Sequence, residues 1–188
     1  MNRITDYIFE VGMLKRVARS GWWAEKIKHP ESVADHSHRT AVIAFILAKL
    51  EGMSENQARK LCTAAVFHDM HETRLLDLNK ITARYIDIRK IEDKVEADQV
   101  AGIPKEVSKS IISALDGLTD EEKTILKDAD SLECAFQAKE YLDIGHAGTA
   151  SWIKNIGLRL KTKSAKKIFS KMKTQDSNSW WKGLKKLD

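Results

Sequence analysis

The apolar residues of this chain recur every three or four positions in one segment after another, and no segment alternates apolar with polar residues in the manner of a strand. A period near 3.6 lays one stripe of side chains along an α-helix, so a chain that keeps it throughout must bury those stripes against each other. Ile4, Tyr7, Ile8, Val11, Leu14 and Val17 predict an amphipathic helix over residues 4–18 that stops near Ser20 and Gly21. Ser32 is placed to cap a second helix, with the stripe Ala41, Val42, Phe45, Ile46 and Leu50. Ser54 with Gln57, and Thr119 with Glu122, have the spacing of capping boxes. They open helices through Leu61, Ala64, Ala65 and Phe67, and through Ile125, Leu126, Ala129, Leu132 and Phe136. Residues 81–100 are helical in pattern but heavily charged, and Pro104 suits the first turn of the helix that follows. A last helix is predicted over residues 149–172, after Gly145 and Gly148. The expected fold is all-α, a compact helical bundle.

With 188 residues, 43% of them hydrophobic, and only two prolines, the chain can bury a sizeable core, and a single domain over 1–188 is expected. Cys62 and Cys134 are far apart and show no CxxC spacing, which excludes a disulfide framework and a zinc knuckle and fits a reducing cytoplasm. No apolar run reaches the roughly 18 to 20 residues of a membrane span, and no basic-then-apolar signal opens the chain. A cytoplasmic protein without a membrane partner is expected. The net charge of +5 arises mainly from lysines between 161 and 186, so a nucleic-acid partner is not expected from basicity alone. That tail also carries Ile168, Phe169, Met172, Trp180, Trp181 and Leu184. It reads as a terminal helix with a wet lysine face and its aromatics against the body or a second subunit, in preference to a nucleic-acid patch or an interfacial membrane helix.

The chemistry-bearing residues are sparse and specific. His68 and Asp69 lie within AAVFHDMHETRLLDL, His36 lies upstream in the first turns of the second helix, and Asp130 rides on the helix opened by Thr119. Imidazole and carboxylate donors from three segments suit one divalent ion and leave coordination positions open, which points to a metal-dependent hydrolase. On a helix His68 and Asp69 project about 100° apart, and Glu72 stands one turn beyond His68, where a carboxylate can hold and deprotonate an attacking water. His38 and His71 are rival ligands; His38 is two positions from His36 and so points away from it. Asp128 and Glu133 compete with Asp130. Asp130 is chosen because it sits between Ala129 and Leu132 on the apolar side, where an acid without a cation is costly.

In order and spacing, His36, His68-Asp69 and Asp130 resemble the HD-domain metal-dependent phosphohydrolases. The blocks LKRVARSGW, PESVADHSHR, FHDMHE and EEKTILKDADSLE resemble the 5'-deoxynucleotidase branch of that family, over about the first 145 residues. Residues 146–188 are then a C-terminal helix and basic tail. The resemblance implies hydrolysis of deoxyribonucleoside 5'-monophosphates by a homodimeric helical protein that uses one divalent ion, Co²⁺, Mn²⁺ or similar. It implies His36, His68, Asp69 and Asp130 as metal ligands, Glu72 as the residue that activates or orients water, Arg19 on the 5'-phosphate, and Asp77 on the sugar. Trp22 is assigned to the nucleotide pocket or, equally, to the core. A guanidinium at the end of the first helix is a planar, permanently charged fork for phosphate oxygens.

The chain departs from the family at Leu76, where a glycine commonly precedes the aspartate; a leucine there predicts a different loop around Asp77. Glu72 is followed by Thr73 and not by an acid, which weighs against alarmone hydrolases, and no GYP follows. Two alternatives stay open: an HD phosphohydrolase acting on another nucleotide, such as an alarmone or a triphosphate, and a nucleic-acid-binding protein with a vestigial HD fold.

Overall fold

The computed structural model describes residues 2–184; the last lysines of the basic tail, with Leu187, lie outside the described residues. Helices α1 (Asn2–Val11), α2 (Val33–Leu50), α3 (Glu55–Phe67), α4 (Glu72–Leu75), α5 (Ile88–Val100), α6 (Lys105–Asp116), α7 (Asp120–Asp143), α8 (Thr149–Gly157) and α9 (Lys163–Met172) make the fold all-α. Among the described residues the β structure is one isolated bridge between Ala18 and Ser32, and no helix is long and apolar enough to cross a membrane.

Three N-termini are built as capping boxes. Ser32 and Asp35, Ser54 and Gln57, and Thr119 and Glu122 each exchange side-chain and backbone hydrogen bonds, which satisfies amide groups that the first helical turn leaves open. Glu122 also accepts from Lys60 Nζ at 2.7 Å, tying α3 to the start of α7.

The centre is α2 packed against α3 and α7, with α8 and α9 closing over α7. The facing stripes are rich in small residues: Ala41, Ala44 and Ala48 on α2, Ala58, Ala64 and Ala65 on α3, and Ala129, Ala135 and Ala138 on α7 are all buried. Small side chains let the helix axes approach, and Leu47, Leu61, Ile125, Leu132 and Ile156 fill the space between them.

Several boundaries differ from the sequence reading. The first helix ends at Val11, and Gly12–Lys15 tightens into a 3₁₀ turn. The chain then runs extended beside the segment before α2, with Val33 N donating to Val17 O at 2.9 Å and Arg19 N to Glu31 O at 3.0 Å. Arg19 therefore sits in an extended link and not at a helix end. The charged helix starts only at Ile88, preceded by a short 3₁₀ turn at Thr82–Arg84.

The last helix is two. Asp128 on α7 accepts from the backbone of Lys161 and Thr162 and from Thr162 Oγ1 at 2.7–3.1 Å, holding the break open while Thr162 caps α9. Gly157 ends α8 where the Phe169 ring presses so close that a Cβ would lie 2.4 Å from it. Phe169 and Met172 are tucked onto the body as the sequence suggests, but Trp180 and Trp181 are exposed. Cys62 and Cys134 are both free thiols.

Candidate metal centre

Four elements converge on one point. Helix α3 ends at Phe67, one residue before the His-Asp pair, and His68 to His71 form a turn before α4, so the pair lies beyond the helix end and not on its flank. Glu72 N still donates to Asp69 O at 3.1 Å, which keeps the two side chains on the same side of the turn. His36 comes from the first turns of α2 and Asp130 from about three turns into α7. The ligating atoms of His36, His68 and Asp130 lie within 4.8 Å of one another. His36 Nε2 is 3.2 Å from Asp130 Oδ1 and 3.6 Å from Asp69 Oδ2, and His68 Nε2 is 3.2 Å from Asp69 Oδ2.

Both imidazoles are oriented from behind. His68 Nδ1 donates to Ala65 O at 2.8 Å, and His36 Nδ1 meets Glu133 Oε2. Their Nε2 atoms are buried without a hydrogen-bond partner, as is Glu72 Oε2. Buried polar nitrogens are almost always satisfied, so two such orphans aimed between two aspartates fit a divalent cation in both chemistry and number of donors.

The electrostatics agree. Burial and Arg19 disfavour a charged His36, yet the neighbouring carboxylates of Asp130 and Glu133 raise its pKa to about 10. Burial would raise Asp130, but His36, His68 and Arg19 hold it well below the usual carboxylate range. Burial, reinforced by Asp69 and Asp77, pushes Glu72 up to about 9. These acids together call for positive charge at their centre, which a divalent ion supplies while displacing protons.

Arg19 lies beside this point. Its Nη1 is 2.9 Å from Asp77 Oδ1 and 3.7 Å from Asp69 Oδ2. Asp77 also accepts from Ser20 N at 2.5 Å, and its carbonyl accepts from Ser20 Oγ at 2.7 Å. The loop was expected to change because Leu76 stands where glycine is common. Leu76 instead adopts φ 62°, ψ 174°, a conformation almost confined to glycine, and delivers Asp77 with local strain.

The rival residues have other partners. His38 is exposed. His71 faces α5, with Nδ1 3.1 Å from Glu96 and Nε2 3.5 Å from Glu92. Although Asp69, His71 and Glu72 also bring donor atoms within 4.8 Å, those acids on α5 hold the His71 ring from the other side. Asp128 is the acceptor at the α8–α9 break. The burial argument for Asp130 is overturned: its side chain is 41% exposed, whereas Asp128 and Glu133 are the buried acids of α7.

Trp22 is corrected as well. It is 2% exposed, stacks on Trp152 at 4.6 Å, meets Tyr141 edge-on and donates to Glu31 Oε1 at 3.0 Å, so it presents no free face to a nucleotide. Sequence reasoning missed Glu31, Arg39 and Ser20 as neighbours of the site. Their only signal was proximity to His36 and Arg19 within PESVADHSHR and LKRVARSGW.

A family model described as HD domain matches residues 11–173. The human 5'-deoxynucleotidase HDDC2 is 30% identical over 149 residues, covering 76% of this chain and 70% of that protein. The crystal structure of genomics APC5600 superposes with a TM-score of 0.78 at 37% identity, over 96% of this chain and 99% of its own. The fold also matches the cyanophage S-2L HD phosphohydrolase DatZ, solved with dA and one catalytic Zn²⁺ ion, at a TM-score of 0.59 and 17% identity, over 89% and 96% of the two chains.

Proposed function

This chain belongs to the HD-domain family, in its 5'-deoxynucleotidase branch, and from that premise we propose that it removes the 5'-phosphate of deoxyribonucleoside 5'-monophosphates with the aid of one divalent ion. The observation that carries the proposal is the pair of buried, unpartnered Nε2 atoms of His36 and His68 facing Asp69 and Asp130. These four residues would hold the ion, and two nitrogen and two oxygen donors suit Co²⁺, Mn²⁺ or a similar divalent ion. A divalent ion there supplies Lewis acidity, easing deprotonation of water and polarising a phosphoryl oxygen.

The chain's own residues do the rest. Arg19 binds the phosphate, exchanging its contact with Asp77 for phosphate oxygens and keeping its charge throughout. Glu72, buried with one free oxygen, orients the attacking water and accepts its proton. Asp77, fixed by Ser20, takes the 3'-hydroxyl and crowds a ribose 2'-hydroxyl. The two free cysteines support a reducing, cytoplasmic setting. The exposed row Val42, Ile46 and Leu50, spaced by four on α2, supports a homodimer.

The test is phosphate release by chelator-stripped protein from paired deoxy- and ribonucleoside 5'-monophosphates, a guanosine alarmone and a triphosphate, with Co²⁺, Mn²⁺ or Mg²⁺ added singly. Metal-dependent turnover that favours the deoxymonophosphates is expected. Turnover of only the alarmone or triphosphate would overturn the substrate assignment, and no turnover with any metal would overturn the enzyme. Arg19→Ala should raise KM more than it lowers kcat if the guanidinium binds ground and transition states equally.

A further inference from the structure

The two histidines of the site are supported in different ways. His68 leans on a backbone carbonyl of the helix that it follows, whereas His36, completely buried, leans on an equally buried carboxylate from another helix, Glu133. Glu133 is not free to turn. Its Oε1 accepts from Arg39 Nε at 2.9 Å and lies 2.7 Å from Nη2, the two-pronged approach that a planar guanidinium allows. Arg39 is fixed in turn by Glu140 Oε1 on Nη1 and Gln137 Oε1 on Nη2, each at 2.7 Å. Glu133, Gln137 and Glu140 follow one another at four and three residues along the face of α7 that meets α2.

Glu133 meets His36 at Nδ1, the ring nitrogen opposite the one that faces Asp130 and Asp69, and Arg39 meets Glu133. A buried carboxylate beside a histidine settles which ring nitrogen carries the proton. With Nδ1–H donated to Glu133, the Nε2 lone pair points toward Asp130 and Asp69. We propose that Glu133, clamped by Arg39, is the positioning residue for His36 and sets how tightly the site binds its divalent ion. This rests on the metal site proposed above. The clamp joins the helices that bring His36 and Asp130, so it also holds the spacing between those two donors.

The experiment is Co²⁺ titration of the chelator-stripped full chain, followed by calorimetry and by the visible absorption of the bound ion, for wild type, Glu133→Gln, Arg39→Lys and Glu140→Gln. The glutamine at 133 keeps the shape but not the charge, and about a 10- to 100-fold loss of Co²⁺ affinity with a shifted absorption band is expected. Arg39→Lys, which loses the fork but keeps a cation, should show a smaller loss in the same direction; it carries the test if Glu133→Gln does not fold. Glu140→Gln keeps an acceptor for Arg39 Nη1 and leaves Glu133 charged, so it should change affinity and spectrum least of the three. Wild-type affinity and spectrum in folded Glu133→Gln or Arg39→Lys would overturn the proposal, even with a lowered melting temperature, because the pair would then only join two helices. Failure of the wild type to bind one Co²⁺ per chain would instead overturn the metal site itself.

Discussion

The site has one wall made of packed helices and another made of a turn. His36 and Asp130 stand on α2 and α7, whose facing alanines and leucines form the densest part of the core. His68, Asp69 and Glu72 stand on a turn and the start of the short α4, where Met70 packs on Leu14, Val17 and Val33 and polar groups hold the rest. Gln99 of α5 donates to Met70 O and Thr73 Oγ1, while Glu10 of α1 accepts from Thr73, Arg74 and Gln99. Packing fixes donors on the first wall as a consequence of folding. On the second, hydrogen bonds hold them beside the core, so chemistry and stability should separate there and remain joined on the first.

The sharpest break of that contrast is Asp69→Ala. It should abolish phosphate release while the metal-free protein melts near the wild-type temperature, because Asp69 adds no apolar side chain to the core and its contacts to Arg19, His36 and His68 are offset by repulsion from Asp130 and Glu72. A large fall in that temperature would show that the turn is part of the core. Leu132→Ala, on the helical wall, should instead lower stability by about 2–5 kcal/mol in urea denaturation, the range for emptying a fully buried leucine site. Loss of metal affinity should follow that loss of structure; an unaffected site in a strongly destabilised protein would uncouple them.

A smaller effect is expected where the turn leads to Asp77. Leu76→Gly should relieve the positive φ and raise stability by about 1 kcal/mol, provided the strain exceeds the extra freedom glycine gains in the unfolded chain. Lower stability with unchanged activity would mean that the half-exposed leucine contributes more by its contacts than its backbone costs. The smallest effect concerns Glu10. Burial raises its pKa, but hydrogen bonds from Arg74, Gln99 and Thr73 prevail and lower it below 4.5. The charged form therefore stabilises the fold above about pH 4.5, and that contribution disappears as pH falls through the lowered value. In the presence of chelator, the melting temperatures of wild type and Glu10→Gln should differ at pH 7 and converge as the pH falls through the lowered value; a constant gap would remove Glu10's charge from the buttress.

The helices and their starts were legible because they depend on neighbours in the chain. Periodicity follows from 3.6 residues per turn, and Ser54, Thr119 and Ser32 cap through amides three residues away. The donor residues were legible because few side-chain types can bind a divalent ion. What the sequence could not decide was how similar residues on one element divide their tasks. Asp128, Asp130 and Glu133 share two turns of α7, and their sequence context favoured burying the one that faces the site half-exposed. Asp128 is claimed by the break before α9, Glu133 by His36 and Arg39, and Asp130 is left facing the donors. Trp22 likewise became core because Trp152 and Tyr141, more than a hundred residues away, close on it. Local rules act through the backbone and its nearest hydrogen bonds, so sequence determines them. The partner of a side chain depends on which faces meet when the helices pack, and only the tertiary structure decides that.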